Sequence, residues 1–160
     1  MLMRHCIKGP SRARVVLTAM LFLSVSSLPA VAATAEQAKA WVERAVAHIK
    51  AVGKDRAFAD FSRKDGDFVQ GELYIFCYAK DGTNLAHGGN PAFVGQNLLH
   101  VKDPDGFEVN AEIIKLGLSQ GTGWIDFKWP NPVSKKVEQK RAYVIKVDDQ
   151  TVCGSGFYRG

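Results

Sequence analysis

Tyr74, Phe76 and Tyr78 recur at every second position of the run Leu73-Tyr74-Ile75-Phe76-Cys77-Tyr78. Side chains alternate between faces along a strand, so these three rings share one side. Three aromatics on one face either wall an apolar pocket with hydroxyls at its rim, the usual make-up of a small-molecule site, or form plain core. Cys77 sits inside the same run, and Cys153 is its only counterpart beyond the first few residues. In an oxidising compartment such a pair forms one disulfide; kept reduced, the two are small apolar thiols, and both readings stand at this point. Neither cysteine belongs to a C-x-x-C, which argues against a redox catalyst.

Little else in the sequence has the spacing that catalysis needs. His48, His87 and His100 are scattered, and no H-E-x-x-H is present. Asp103-Pro104-Asp105-Gly106 has the look of a calcium loop but lacks the downstream acidic ligand, and reads as a turn that caps a helix. Ser155 lies in G-S-G at the end of a strand, not in the strand-to-helix elbow of a nucleophilic serine. The expectation is a protein with no catalytic residues, no metal and no cofactor.

These candidates must be held by elements the pattern makes legible. Thr34-Ala35-Glu36-Gln37 has capping-box spacing. Behind it Ala38, Trp41, Val42, Ala45, Ile49 and Val52 recur at helical spacing up to Gly53, a natural stop. A shorter helical turn carrying Phe58 and Phe61 follows. From Gly71 the period changes: Leu73–Tyr78 reads as a strand, Asp81-Gly82 as a turn, and Asn84–His87 as a second strand. Phe107, Ala111, Ile114 and Leu118 predict a helix over Phe107–Gln120, ended by Gly121. Three more strands are expected at 124–129, 142–147 and 151–158. The order predicts an α+β domain with one antiparallel sheet of about five strands and a long N-terminal helix.

The first 32 residues read as an export leader. Arg4, Lys8, Arg12 and Arg14 precede an apolar run from Val15 to Leu28, and Pro29-Ala30-Val31-Ala32 supplies an A-x-A cleavage site. The run is shorter than the ~20 residues a spanning helix needs; retained, it would be an anchor. The expected organisation is a signal peptide over 1–32 and one domain over 33–160, periplasmic or secreted. The whole chain carries 21 Lys and Arg against 16 Asp and Glu, and four of the basic residues lie in the leader. The remaining 17 against 16 gives no nucleic-acid footprint.

Four stretches together resemble a known family. They are LYIFCYAKDGTNLAHGGNPAFVGQN, KDPDGFEVNAEIIKLG, GTGWIDFKWPNPVSKKVEQKRAYV and GSGFY, which follow one another at family spacing between residues 70 and 158. The chain is thereby similar to the single Cache domains (type 2) of bacterial extracytoplasmic sensing, as a soluble stand-alone member. The resemblance implies a PAS-like five-stranded sheet with the long helix on one side and a small pocket on the other. It implies a ligand that is a short carboxylate or a similar small metabolite.

Residue by residue, the resemblance singles out Lys140 and Tyr143 as the family's K-x-x-Y. A carboxylate needs a cation and one or two donors, and charge-assisted bonds are about twice as strong as neutral ones. Lys140 offers the charge and Tyr143 a hydroxyl; otherwise they are a surface lysine beside a core tyrosine. His87 matches the histidine of A-H-P, with Gly88 where the family has proline, and either bonds a ligand or fixes its loop. Trp124 takes the family's G-W position on the face of Asp126 and Lys128, and is the tryptophan expected at the ligand, whereas Trp129 is expected to pack. The candidate ligand residues are Tyr74, Phe76, Tyr78, His87, Trp124, Lys140 and Tyr143.

The functional expectation is a periplasmic small-molecule sensor for signal transduction or chemotaxis, working through a membrane receptor or kinase ectodomain. A homodimer through the N-terminal helix is compatible with it. The rival expectation is an interaction or accessory protein that keeps the fold without a pocket.

Overall fold

A computed structural model of the chain describes residues 33–159. The leader expected over 1–32 lies outside the described residues.

Helix α1, Ala35–Val52, begins with the capping box: the Gln37 N–H donates to Thr34 Oγ1 at 3.2 Å, and the Thr34 N–H donates to Gln37 Oε1 at 2.8 Å. It stops at Gly53, whose φ of 82° suits glycine and strains other residues. Its apolar stripe of Ala38, Val42, Ala45 and Ile49 is buried. Helix α2, Lys54–Phe61, turns back against it and buries Ala57 and Phe61.

The strands follow: β1 (Val69–Gln70), β2 (Leu73–Tyr74), β3 (Phe76–Ala79) and β4 (Asn84–His87). After a 3-10 turn at Pro91–Phe93 come α3 (Val109–Gln120), β5 (Thr122–Pro130), β6 (Val137–Asp148) and β7 (Thr151–Arg159). The main sheet has the order β4-β3-β7-β6-β5, with every neighbouring pair antiparallel. This is the five-stranded α+β architecture expected from the sequence. The expected single strand Leu73–Tyr78 is interrupted at Ile75, because Leu73 and Tyr74 pair with β1 in a separate small hairpin. The predicted helix from Phe107 begins two residues later. Asp103 accepts N–H bonds from Asp105 (2.9 Å) and Phe107 (3.0 Å), which holds that stretch in a turn. Its other oxygen accepts from the Lys128 N–H at 3.1 Å, so Asp103 ties the loop to β5 rather than capping α3.

Period-two alternation divides the sheet into two apolar layers. Under α1 and α2 lie Ile75, Cys77, Ala86 and Cys153, with Tyr143 and Ile145 beside them. On the other face α3 covers Phe76, Tyr78, Phe127, Trp129, Ala142, Val144, Val152 and Tyr158. Cys77 and Cys153 are directly opposed across β3 and β7, fully buried, and joined by a disulfide. The bond closes a separation of 76 residues. Such closure removes freedom from the unfolded chain and is typically worth about 2–4 kcal/mol. Replacing both cysteines by alanine is expected to lower stability by at least about 2 kcal/mol in urea unfolding. A loss below about 0.5 kcal/mol, the size of a neutral surface change, would contradict the cross-link.

Candidate functional site

The face of the sheet beneath α3 is not filled evenly, because β7 carries glycine at two positions there. Gly154 lies opposite Phe76, and a Cβ on it would come within 2.5 Å of the Phe76 ring. A Cβ on Gly156 would come within 2.9 Å of Lys140 Cε. The G-S-G motif therefore makes room for an aromatic ring and for the stem of a lysine that crosses the sheet surface.

That lysine is the centre of the site. Lys140 is only 1% exposed, although it belongs to the residue type least often buried. Its Nζ sits 3.7 Å from the Tyr74 ring centroid, 4.9 Å from that of Tyr158 and 5.6 Å from that of Phe76. It donates one long hydrogen bond, 3.5 Å, to Tyr158 Oη. Tyr158 Oη donates in turn to the Pro130 carbonyl at 2.8 Å. Burial pushes the Lys140 pKa well below the ordinary amine range, against the opposing charge of Glu72. Burial disfavours the charged form of an amine, and aromatic faces return only part of that cost.

His87, at the end of β4, faces the same space. Its Nδ1 accepts the Asn90 N–H at 2.9 Å, which leaves the proton of the neutral ring on Nε2. Burial and the neighbouring Lys140 lower its pKa to about 3, so the ring is a neutral donor at physiological pH. Its ring stands 5.0 Å from that of Tyr74 and 5.2 Å from that of Phe93. His87 thus combines the two roles its position allows, bonding its loop through one nitrogen while its ring lines the cavity.

Lys140, His87, Tyr74, Phe76 and Tyr78 line an inner cavity with Phe127, Trp129, Val109, Asn110 and Ile113. Its free volume is about 10 Å³, room for about one water. An outer cavity of about 230 Å³ adjoins it, lined by Gly89, Asn90, Phe93, Pro130, Asn131, Pro132 and Lys135. Tyr74, His87 and Trp129 belong to both linings, so three rings form the partition. Tyr74 stands close to the chain at Gly89, where a Cβ would lie 2.8 Å from the ring. The outer wall is a turn held by Asn131, whose Oδ1 accepts the Val133 N–H at 2.8 Å and whose Nδ2 donates to Glu138 at 2.7 Å.

Two of the seven expected ligand residues are not at this cavity. Trp124 and Tyr143 are cross-strand partners with ring centroids 4.9 Å apart, on the α1 face of the sheet. Lys140 pairs with Phe127, and residues three apart on a strand point to opposite sides, so K-x-x-Y cannot place both side chains in one pocket. The same parity makes Trp129, not Trp124, the cavity tryptophan. Asn110 was also missed; its signal was a polar residue in the buried stripe of Val109, Ile113, Ile114 and Gly117.

Comparison with known proteins places the fold. The single Cache domain 2 family model matches residues 29–159. The sensor histidine kinase MctS of Rhizobium johnstonii is 35% identical over 86 residues, covering 53% of this chain and 18% of that protein. The chain thus spans less than a fifth of that kinase's length. A methyl-accepting chemotaxis protein of Vibrio parahaemolyticus superposes with a TM-score of 0.67 at 26% identity, covering 77% of this chain and 86% of that one. A Cache chemosensory domain solved for its carboxylic acid recognition gives 0.65 at 26% identity, covering 78% and 92%.

The buried amine makes a prediction about stability. The unfolded chain holds Lys140 charged below about pH 10.4, whereas the folded value is depressed. Burial therefore costs stability below the unfolded pKa, and the cost fades as pH rises through it. Lys140→Met is expected to stabilise the unliganded protein by about 1–2 kcal/mol at pH 7, with the gap narrowing towards pH 11. Chemical denaturation of both proteins across that range checks it; a destabilised variant at pH 7 would count against an unpaired amine.

Proposed function

The chain belongs to the single Cache domain 2 family, and on that basis we propose that it is a sensor domain acting outside the cytoplasm that reversibly binds a short carboxylate. The observation that carries the reading is Lys140, a buried amine over aromatic rings that makes no ion pair among the described residues. A carboxylate brought beside it supplies the missing counter-charge in a low-dielectric site, where that attraction is strong. His87 Nε2–H offers a second donor. The relative known for carboxylic acid recognition supports the same class of ligand.

The inner cavity holds about one water as it stands, so an acid of two or three carbons fits only when the partition of Tyr74, His87 and Trp129 gives way. Entry moves that partition, and the outer cavity with Lys135 at its rim is the way in. A receptor or kinase partner then reads the occupancy of the site. A location outside the cytoplasm is supported by the leader-like residues 1–32 and by the Cys77–Cys153 bond, which persists in oxidising compartments. The reading as a binder is supported by the lining, in which an amine, an imidazole, an amide and two tyrosine hydroxyls stand among apolar groups, the make-up of a small-molecule site.

Thermal unfolding against formate, acetate, propionate, pyruvate and a set of amino acids tests the proposal. A ligand at 100 times its Kd adds about 2.7 kcal/mol, a rise of about 8–11 °C in Tm for a domain of this size. The expected result is a shift with short monocarboxylates that disappears in Lys140→Met. No shift with any acid would favour the rival reading of an interaction protein.

A further inference from the structure

Asn110 stands in the first turn of α3, is 0% exposed, and lines the inner cavity with Lys140 and His87. Its Nδ2 donates to the Leu98 carbonyl at 2.8 Å. That bond fixes the amide orientation, because the flipped form would set oxygen against oxygen. Its Oδ1 is buried without a hydrogen-bond partner. A buried acceptor left unmade is costly, and native structures rarely keep one without a reason.

A simple carboxylate cannot satisfy it. The ionised acid offers only acceptors, which suit Lys140 Nζ and His87 Nε2–H but not an amide oxygen. A ligand that satisfies this oxygen directly, in place of a bridging water, brings a donor of its own. A second ammonium is the wrong donor, since it would share a buried space with Lys140 and no acidic side chain lines the inner cavity. A neutral hydroxyl meets the requirement with no added charge.

From this geometry we infer that the ligand is a short hydroxy acid, and that Asn110 selects it over the parent acid by accepting its hydroxyl hydrogen. The inference rests on the carboxylate reading above and narrows it. Apolar contact and the charge on Lys140 hold either acid; Asn110 Oδ1 discriminates between them.

Titration calorimetry of the full chain with glycolate against acetate, and with lactate against propionate, tests this. The expected result is that each hydroxy acid binds at least tenfold tighter than its parent. In Asn110→Leu, hydroxy and parent acids are expected to bind alike. Should that variant fail to fold, the two pairs on the unaltered protein still decide. Parent acids binding as tightly as the hydroxy acids would overturn the inference while leaving the carboxylate reading intact. If none of the four acids binds, the carboxylate reading falls and this inference with it.

Discussion

Burying an amine that makes no ion pair among the described residues constrains the α3 side of this sheet. Lys140 reaches inward only because Gly156 has no side chain to block its stem. Its amine lies near the faces of Tyr74, Phe76 and Tyr158, which offset part of the cost of burial. Tyr158 is itself committed to the Pro130 carbonyl, which joins the end of β5 to the same network. His87 stays neutral beside it and keeps its remaining proton for whatever enters. This arrangement is costly alone, and in the proposed function an anion offsets the cost.

The other face of the sheet supplies the rigidity such an arrangement requires. The Cys77–Cys153 bond joins β3 to β7 directly beneath the strand positions that carry Phe76 and Gly154. Packing of Val42, Ala45 and Ile49 from α1 seals that layer. Trp124 and Tyr143 belong to it as well, with Tyr143 near the Lys39 ammonium of α1 at 5.6 Å. One face is thus cross-linked and apolar, and the buried amine is confined to the other.

The architecture was legible because it rests on periodicity. The capping box at Thr34, the change of period at Gly71 and the alternation around Phe127 and Trp129 are local signals, and local signals survive folding. The aromatic stripe Tyr74, Phe76 and Tyr78 reached the cavity for the same reason. The site was only partly legible because a motif quoted as a string hides its parity: Lys140 and Tyr143 are near in sequence and on opposite sides of a sheet. Asn110 was harder still. Its importance depends on Leu98, twelve residues away, taking one half of its amide and leaving the other half unmet. The interruption at Ile75 is equally non-local, since it follows from pairing with β1.

Carboxylate binding as proposed depends on the protonation of Lys140, so its side-chain nitrogen is the group to observe. Nitrogen-15 NMR of the lysine side chains, followed through a pH titration with and without saturating short carboxylate, reads it directly. Lys140 without ligand is expected to titrate below every exposed lysine, and ligand to move its midpoint upward. A Lys140 that titrates with the exposed lysines in both states would contradict a buried amine that pairs with a carboxylate ligand.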